Sequence, residues 1–226
     1  LLKELQEENA RLLSEADSDK SQMSEYYTLW AHQIKTPIAA MRLLIRSEPS
    51  ESVNELSLEL FKIEQYVEAL LQYLRLETMS SDLLLAEYAV GAIVKQAVRK
   101  YAKMFISRGI ALRLSETELR AVTDEKWLCF VIEQLLSNAL KYTLRGEISI
   151  YTQEKSLIIE DSGVGIAPED LPRIFERGFT GYNGRMDKKS TGIGLYLTVK
   201  ILKRLGHSIE AESELGKGTR IRIIFD

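Results

Sequence analysis

Apolar residues follow two rhythms along this chain. Up to about residue 76 the spacing is helical. Leu2, Leu5, Asn9, Leu12 and Ala16 alternate three and four apart, as the a and d seats of a parallel coiled coil do, and an asparagine at an a seat favours a dimer. At about 100° per residue, Met23, Tyr27, Trp30, Ile34, Ile38, Met41 and Ile45 fall on one face, with His32, Thr36 and Ala39 on the other. Ser47-Glu48-Pro49-Ser50 then stops the helix, since proline cannot continue it and serine caps the next one. A second stripe, Val53, Leu56, Leu60, Ile63, Val67, Leu70 and Leu74, makes the return leg of a helical hairpin. One hairpin cannot cover both stripes. Two hairpins from two chains can, as a four-helix bundle, so a homodimer is expected.

After Glu77 the pattern turns irregular, and Ser80-Ser81-Asp82 reads as a hinge. Helical and alternating stretches then succeed one another: helix 90–108, strand 110–114, helix 125–144, strands 147–153 and 155–161, a helix running through Leu205, and strands 208–213 and 220–225. Such alternation predicts an α/β sandwich, one sheet backed by helices. The organisation expected is a coiled-coil linker helix over 1–22, a dimerisation hairpin over 23–82 and an α/β domain over 83–226. Between Pro168 and Ser190 apolar periodicity fades and glycine and basic residues enter, which reads as a mobile lid.

Composition narrows the classes. The chain has 226 residues, 45% hydrophobic, with a net charge of −3, so nothing points to nucleic-acid binding. A single cysteine, Cys129, excludes a disulfide framework and a thiolate metal cluster. Its apolar neighbours place it in the core. No apolar run reaches the ~20 residues of a membrane helix. The first residue is Leu1 rather than methionine, from which an upstream membrane portion is expected.

Four fragments carry chemistry. In Asn138-Ala139-Leu140-Lys141-Tyr142 an amide oxygen can ligate hard Mg²⁺, a lysine can neutralise phosphate and an aromatic ring can pack on a base. In Asp161-Ser162-Gly163-Val164-Gly165 a carboxylate at a strand end can accept from an adenine amino group, while glycines let backbone approach the base. Thr191-Gly192-Ile193-Gly194-Leu195 opens a helix, whose free N–H groups suit phosphate. Gly216-Lys217-Gly218-Thr219 is a turn between two strands. Ordered in this way, they read as one nucleotide site. His32 then matters as an exposed imidazole: an unperturbed imidazole has a pKa of roughly 6.5, so near neutral pH a ring nitrogen keeps a free lone pair that can attack phosphorus.

These motifs, with His32-Gln33-Ile34-Lys35-Thr36-Pro37 and Phe175-Glu176-Arg177-Gly178-Phe179, resemble the H, N, G1, F and G2 boxes of bacterial sensor histidine kinases, over nearly the whole chain. The His-Gln-x-Lys-Thr-Pro form and the preceding Tyr-Tyr-Thr-Leu-Trp look most like the intramembrane-sensing kinases that work beside peptide-antibiotic transporters. The resemblance implies a Bergerat-type ATP fold, ATP and Mg²⁺ as cofactors, His32 as phosphoacceptor, Asn138 as metal holder and Asp161 as adenine reader. It extends the nucleotide-contacting set to Lys141, Tyr142, Gly163, Gly165, Ile166, Phe175, Arg177, Thr191, Gly192, Gly194, Leu195 and Thr219. It implies a response regulator as phosphoryl acceptor, a membrane transporter reached through the N-terminal side, and location as the cytoplasmic portion of a cell-membrane protein.

Two departures bear on mechanism. Gln33 stands where many members carry an acid, and an amide orients a ring without accepting its proton. Glu133 is one candidate for a replacement base. Gln134 stands at the usual first asparagine of the N box, and Thr180 where a second arginine is common, leaving Arg177, Arg185, Lys188 or Lys189 to meet phosphate. Thr36, one turn from His32, either positions a water that dephosphorylates the regulator or is simply a helix residue before Pro37. Two other readings remain open: an ATP-binding scaffold or phosphatase-biased protein, favoured by Gln33, and a kinase of serine on a partner, disfavoured by the H box.

Overall fold

The computed structural model describes residue 26, residues 33–34, 36–37, 40–41, 52–76, 83–181 and 192–226. His32, Thr191, the linker helix over 1–22, the turn around Pro49, the hinge at 80–82 and residues 182–190 lie outside the described residues. The molecule divides into two compact units, the first ending at Leu71 and the second running Gln72–Asp226.

Around the H box the described positions are helical, and Thr36 is exposed as its face requires. Tyr26, Gln33 and Pro37 are buried while Ile34 and Met41 are only half-buried. The buried stripe is therefore turned about one residue from the face of Tyr27, Ile34 and Met41, because the Gln33 stem and the Pro37 ring count as apolar surface although the polarity pattern scores one as polar. The segment expected as the return leg is helical, α1 (Ser52–Leu76). On it Leu56, Ile63 and Val67 are half-buried and Leu60 keeps 50% of its surface exposed.

The second unit is an α/β sandwich. Its elements are β1 (Ala86–Ala89), α2 (Val90–Arg108), β2 (Ala111–Leu114), β3 (Arg120–Thr123), α3 (Glu125–Tyr142), β4 (Glu147–Gln153), β5 (Ser156–Asp161), α4 (Gly194–Leu205), β6 (Ser208–Glu214) and β7 (Gly218–Ile224). Five strands form one mixed sheet in the order β2-β4-β5-β7-β6, parallel only at β2–β4. The register sets Ile150 beside Ile159, Ile159 beside Ile221 and Leu157 beside Ile223. Side chains alternate across a strand, so the centre of this face is apolar and takes the helices. Onto it come Ile93, Ala97 and Tyr101 of α2, Leu128, Ile132 and Leu136 of α3, and Leu197 and Ile201 of α4, all almost wholly buried. The opposite face carries polar pairs beside the buried Ile158: Tyr151 Oη donates to Glu160 at 2.8 Å, and Arg220 spans Glu160 and Glu212 at 3.0 and 3.2 Å.

Helix ends follow local chemistry. α2 ends at Gly109, in the left-handed conformation at φ +63°, where glycine has no Cβ to clash. Asp124 caps α3 by accepting from Trp127 N at 3.1 Å, and its other oxygen accepts from Leu84 N at 2.9 Å, so one carboxylate ties the entry of the domain to the helix that carries Asn138. The pair β1–β3 was not anticipated, since four-residue runs separated by about thirty residues give no period to read. The expected lid also narrows. Residues 168–181 are folded, with a 3₁₀ turn at Leu171–Arg173 and Ile174 buried behind it, because that single apolar side chain anchors the segment.

Glu133, the candidate base, is buried and engaged between helices, 2.5 Å from Lys100 Nζ of α2 and accepting from Cys129 Sγ at 3.7 Å. Burial and the Glu133 carboxylate push the Cys129 thiol up to about 12, which keeps it protonated and inert. Lys100→Met is expected to leave Glu133 buried without a cation and to cost about 2 kcal/mol, discounted for the partial exposure of Lys100. Chemical unfolding of the two proteins measures that difference.

Candidate nucleotide-binding site

Asp161 is the last residue of β5, two positions beyond Ile159 and therefore on the helix-facing side of the sheet. Its carboxylate accepts from Gly163 N at 2.8 Å and from the backbone of Thr219, the residue paired with it on β7. Burial nonetheless pushes its pKa from 3.8 to about 6, because two neutral N–H donors compensate only part of the lost hydration. No cation pairs with it among the described residues. A strand-end carboxylate kept poorly solvated and unpaired is poised to accept from a ligand amino group.

The G1 loop is held against the end of α3. Val164 N donates to Tyr142 O at 3.1 Å. A Cβ on Gly163 would stand 2.5 Å from that same carbonyl and 2.7 Å from Asp161 Oδ1, so only glycine allows the backbone to lie between the two. Gly165, at φ +70°, packs on the Glu214 carbonyl, while Gly216 N donates to Val164 O at 2.9 Å. Ile166 N donates to Ser213 Oγ at 2.8 Å, and Ser213 in turn donates to Gly218 O at 2.7 Å and lies 2.9 Å from Thr219 Oγ1. Ser213 escaped the sequence reading; its only signal is a polar residue at an inward position of an alternating strand. Gly165→Ala is expected to drive the loop off β6 and weaken ATP binding at least tenfold, since the added Cβ meets backbone and the φ penalises an L residue. Titration calorimetry with a non-hydrolysable ATP analogue checks this.

Across the site, Gln134, Asn138, Lys141 and Tyr142 share the half-buried side of α3, as residues four and seven or eight apart must. A Cβ on Gly194 would lie 2.9 Å from Gln134 Oε1, so this side of α3 faces the first turn of α4. That helix begins at Gly194, three residues later than the motif suggests, with Gly192 at φ +65°. Lys141 Nζ lies 5.2 Å from the centre of the Tyr142 ring. The F box joins through backbone, Gly178 N donating to Gly192 O at 3.0 Å. Phe175 and Arg177 are half-buried, as are Leu195 and Thr219. The tertiary structure thus brings Asp161, Gly163 and Thr219 together and sets Gly165 on the Glu214 carbonyl, while Asn138 lies on the side of α3 that meets Gly194. His32, Thr36 and Gln33 belong to the other unit, and Thr191 is outside the described residues.

Comparison with known proteins gives the family. A family model described as histidine kinase-, DNA gyrase B-, and HSP90-like ATPase matches residues 123–226. The sensor histidine kinase YxdK of Bacillus subtilis is 32% identical over 220 residues, covering 94% of this chain and 68% of the relative. The sensor protein BceS of the same organism is 35% identical over 201 residues, covering 87% and 60%. The sensor protein kinase GraS of Staphylococcus aureus is 36% identical over 204 residues, covering 88% and 59%. The chain therefore spans 59–68% of the length of these relatives. In fold it is similar to the histidine kinase AdeS of Acinetobacter baumannii, with a TM-score of 0.57 at 22% identity over 86% of this chain and 97% of that one.

Proposed function

Because this chain belongs to the sensor histidine kinases, we propose that it transfers the γ-phosphoryl group of ATP to His32 and then to an aspartate of a response regulator. The observation that carries this reading is the convergence on Asp161 of three motifs far apart in sequence. Adenine would lie with its amino group on the Asp161 carboxylate, beside Gly163 and the Tyr142 ring, with its phosphates directed along α3 toward the first turn of α4. Free N–H groups there, with Lys141 and Arg177, would offset charge developing on the transferring group.

The donor set fits a magnesium ion that arrives with its nucleotide. Asn138 offers a single neutral oxygen, and no group of three His, Cys, Asp or Glu side chains able to hold a metal occurs among the described residues. A site of that kind suits an ion that takes its other ligands from phosphate and water. Such an ion supplies charge neutralisation on the phosphates. The chain's own part is to orient the nucleotide and to present the imidazole lone pair in line with the bond that breaks.

The hairpin is assigned as the dimerisation element, since the 50% exposure of Leu60 on an apolar stripe leaves a surface that a second copy would cover. No helix among the described residues is long and apolar enough to cross a membrane. A cell-membrane anchor and a transporter partner are inferred from the resemblance alone, as is the role of Thr36 in regulator dephosphorylation.

Incubation with Mg²⁺ and γ-labelled ATP tests the reading: acid-labile, base-stable label is expected on the wild type and none on His32→Ala. Labelling that survives in His32→Ala removes the assignment. Gln33 favours the scaffold alternative, and Gln33→Glu discriminates. Restoring a carboxylate beside the nucleophile is expected to raise the labelling rate roughly tenfold at unchanged KM for ATP. ATP binding without label in either protein would support a scaffold.

A further inference from the structure

We propose that the solvent face of α2 docks on a membrane surface rich in anionic lipid headgroups. The 19 residues of α2 include Lys95, Arg99, Lys100, Lys103 and Arg108 and no carboxylate, in a chain whose net charge is −3. Two of these cations are used inside the domain: Lys100 pairs with Glu133, and the Arg108 guanidinium donates to Leu140 O. The remaining three occupy one stripe. At about 100° per residue, Lys95, Arg99, Lys103 and Ile106 fall within about 80° of one another, opposite the buried Ile93, Ala97 and Tyr101. Lys95 reaches Glu116 only at 3.7 Å in an exposed pair, which water and salt reduce to little. Arg99 and Lys103 have no ion pair among the described residues.

Apolar tips accompany the charge. Ile106 is 81% exposed and Leu144, in the loop after α3, is 76% exposed, with Arg145 exposed beside it. The two tips sit at the same end of the sandwich, because Ala111, just after α2, donates to Gly146, just after Leu144, at 3.0 Å. Bulky apolar residues standing singly among cations are the composition of an interfacial contact, in which the tips enter the headgroup boundary and the cations meet phosphates. Charge complementarity selects the occupant: the exposed stripe is cationic along its length, and α2 carries no carboxylate. A fluid anionic surface arranges itself around each cation, where a folded protein would need carboxylates in matching register. This contact is independent of catalysis, since none of these residues belongs to the nucleotide site.

Flotation of the 226-residue protein with phosphatidylglycerol–phosphatidylcholine vesicles and with phosphatidylcholine vesicles tests the proposal, with autophosphorylation measured on the same samples. Binding to the anionic vesicles alone, lost above about 0.5 M salt, is expected. Each cation removed should weaken it about fivefold, so Arg99→Glu with Lys103→Glu should weaken it more than a hundredfold, and Ile106→Ser roughly tenfold. Label incorporation in the absence of vesicles should not change in either variant. Equal binding to both vesicle types, no binding at low salt, or anionic binding that neither variant alters would each overturn the proposal. So would an effect of the charge reversal confined to capture of an acidic soluble protein, which would make the face a protein-docking site.

Discussion

Replacing Asn138 by alanine is expected to lower autophosphorylation by a hundredfold or more while the fold is unchanged. Asn138 is half-buried on the side of α3 that faces the start of α4, and its neighbours Ala139 and Leu140 hold the helix in the core whatever stands at 138. Alanine is the best helix former, so α3 loses no stability. What disappears is a neutral oxygen positioned where the phosphates would lie, and a preorganised group of this kind contributes roughly 3–4 kcal/mol to a phosphoryl transfer. Because the adenine contacts are elsewhere, nucleotide binding should fall far less than the rate. Single-turnover labelling at saturating ATP, beside calorimetric affinity, separates the two quantities. A variant that keeps its rate and loses only affinity would remove Asn138 from the chemical step.

Asp161→Asn should do two opposite things, weakening ATP binding by about a hundredfold and stabilising the unliganded protein. The carboxyl of Asp161 titrates at about 6 when folded and near 3.8 when not. Between those values the folded chain holds the extra proton, so stability present below about pH 4 is lost as the pH rises through 6. At neutral pH the protein therefore carries a half-buried, poorly solvated carboxylate with no cation paired to it among the described residues. An amide of the same shape removes that cost, roughly 1–3 kcal/mol, and should raise Tm by roughly 3–8 °C for a domain of this size. The gain should vanish below pH 4, where both side chains are neutral.

Binding loses for a geometric reason. Once the amide oxygen accepts from Gly163 N as the carboxylate does, the NH₂ group faces the adenine amino group, donor against donor. The same NH₂ would suit the O6 acceptor of guanine, so the preference for ATP over GTP should shrink. In the wild type, ATP affinity should fall as the pH drops below about 6. Thermal melts across pH, with calorimetry for both nucleotides, check each part. A variant that is less stable at pH 7 would refute the buried-charge account.

Much of the second unit was legible because its elements are long and regular. The periodicity gave α2 and β4 with the observed ends and α3 to within two residues. What could not be read was short or non-local. β1 and β3 are four residues each and exist through pairing with one another. Gln33 is buried although a polarity count scores it as polar, since packing acts on stem atoms as much as on residue class. Ile174 folds part of the expected lid through one buried side chain, a signal too small to stand out in composition.

The sequence by itself determined the chemical inventory: which amide, carboxylate, lysine and glycines are present, their order, and the helical or alternating rhythm that decides what each segment becomes, because these depend on neighbours a few residues apart. Only the tertiary structure decided how those groups meet. Sheet register brings Thr219 to Asp161 from 58 residues away in sequence, and α3 packs beside α4 so that Gln134 reaches Gly194. It also raised the Asp161 pKa, since desolvation is set by everything around a group. The same packing committed Glu133 to Lys100, which a list of acidic residues near the active motifs could never have excluded from catalysis.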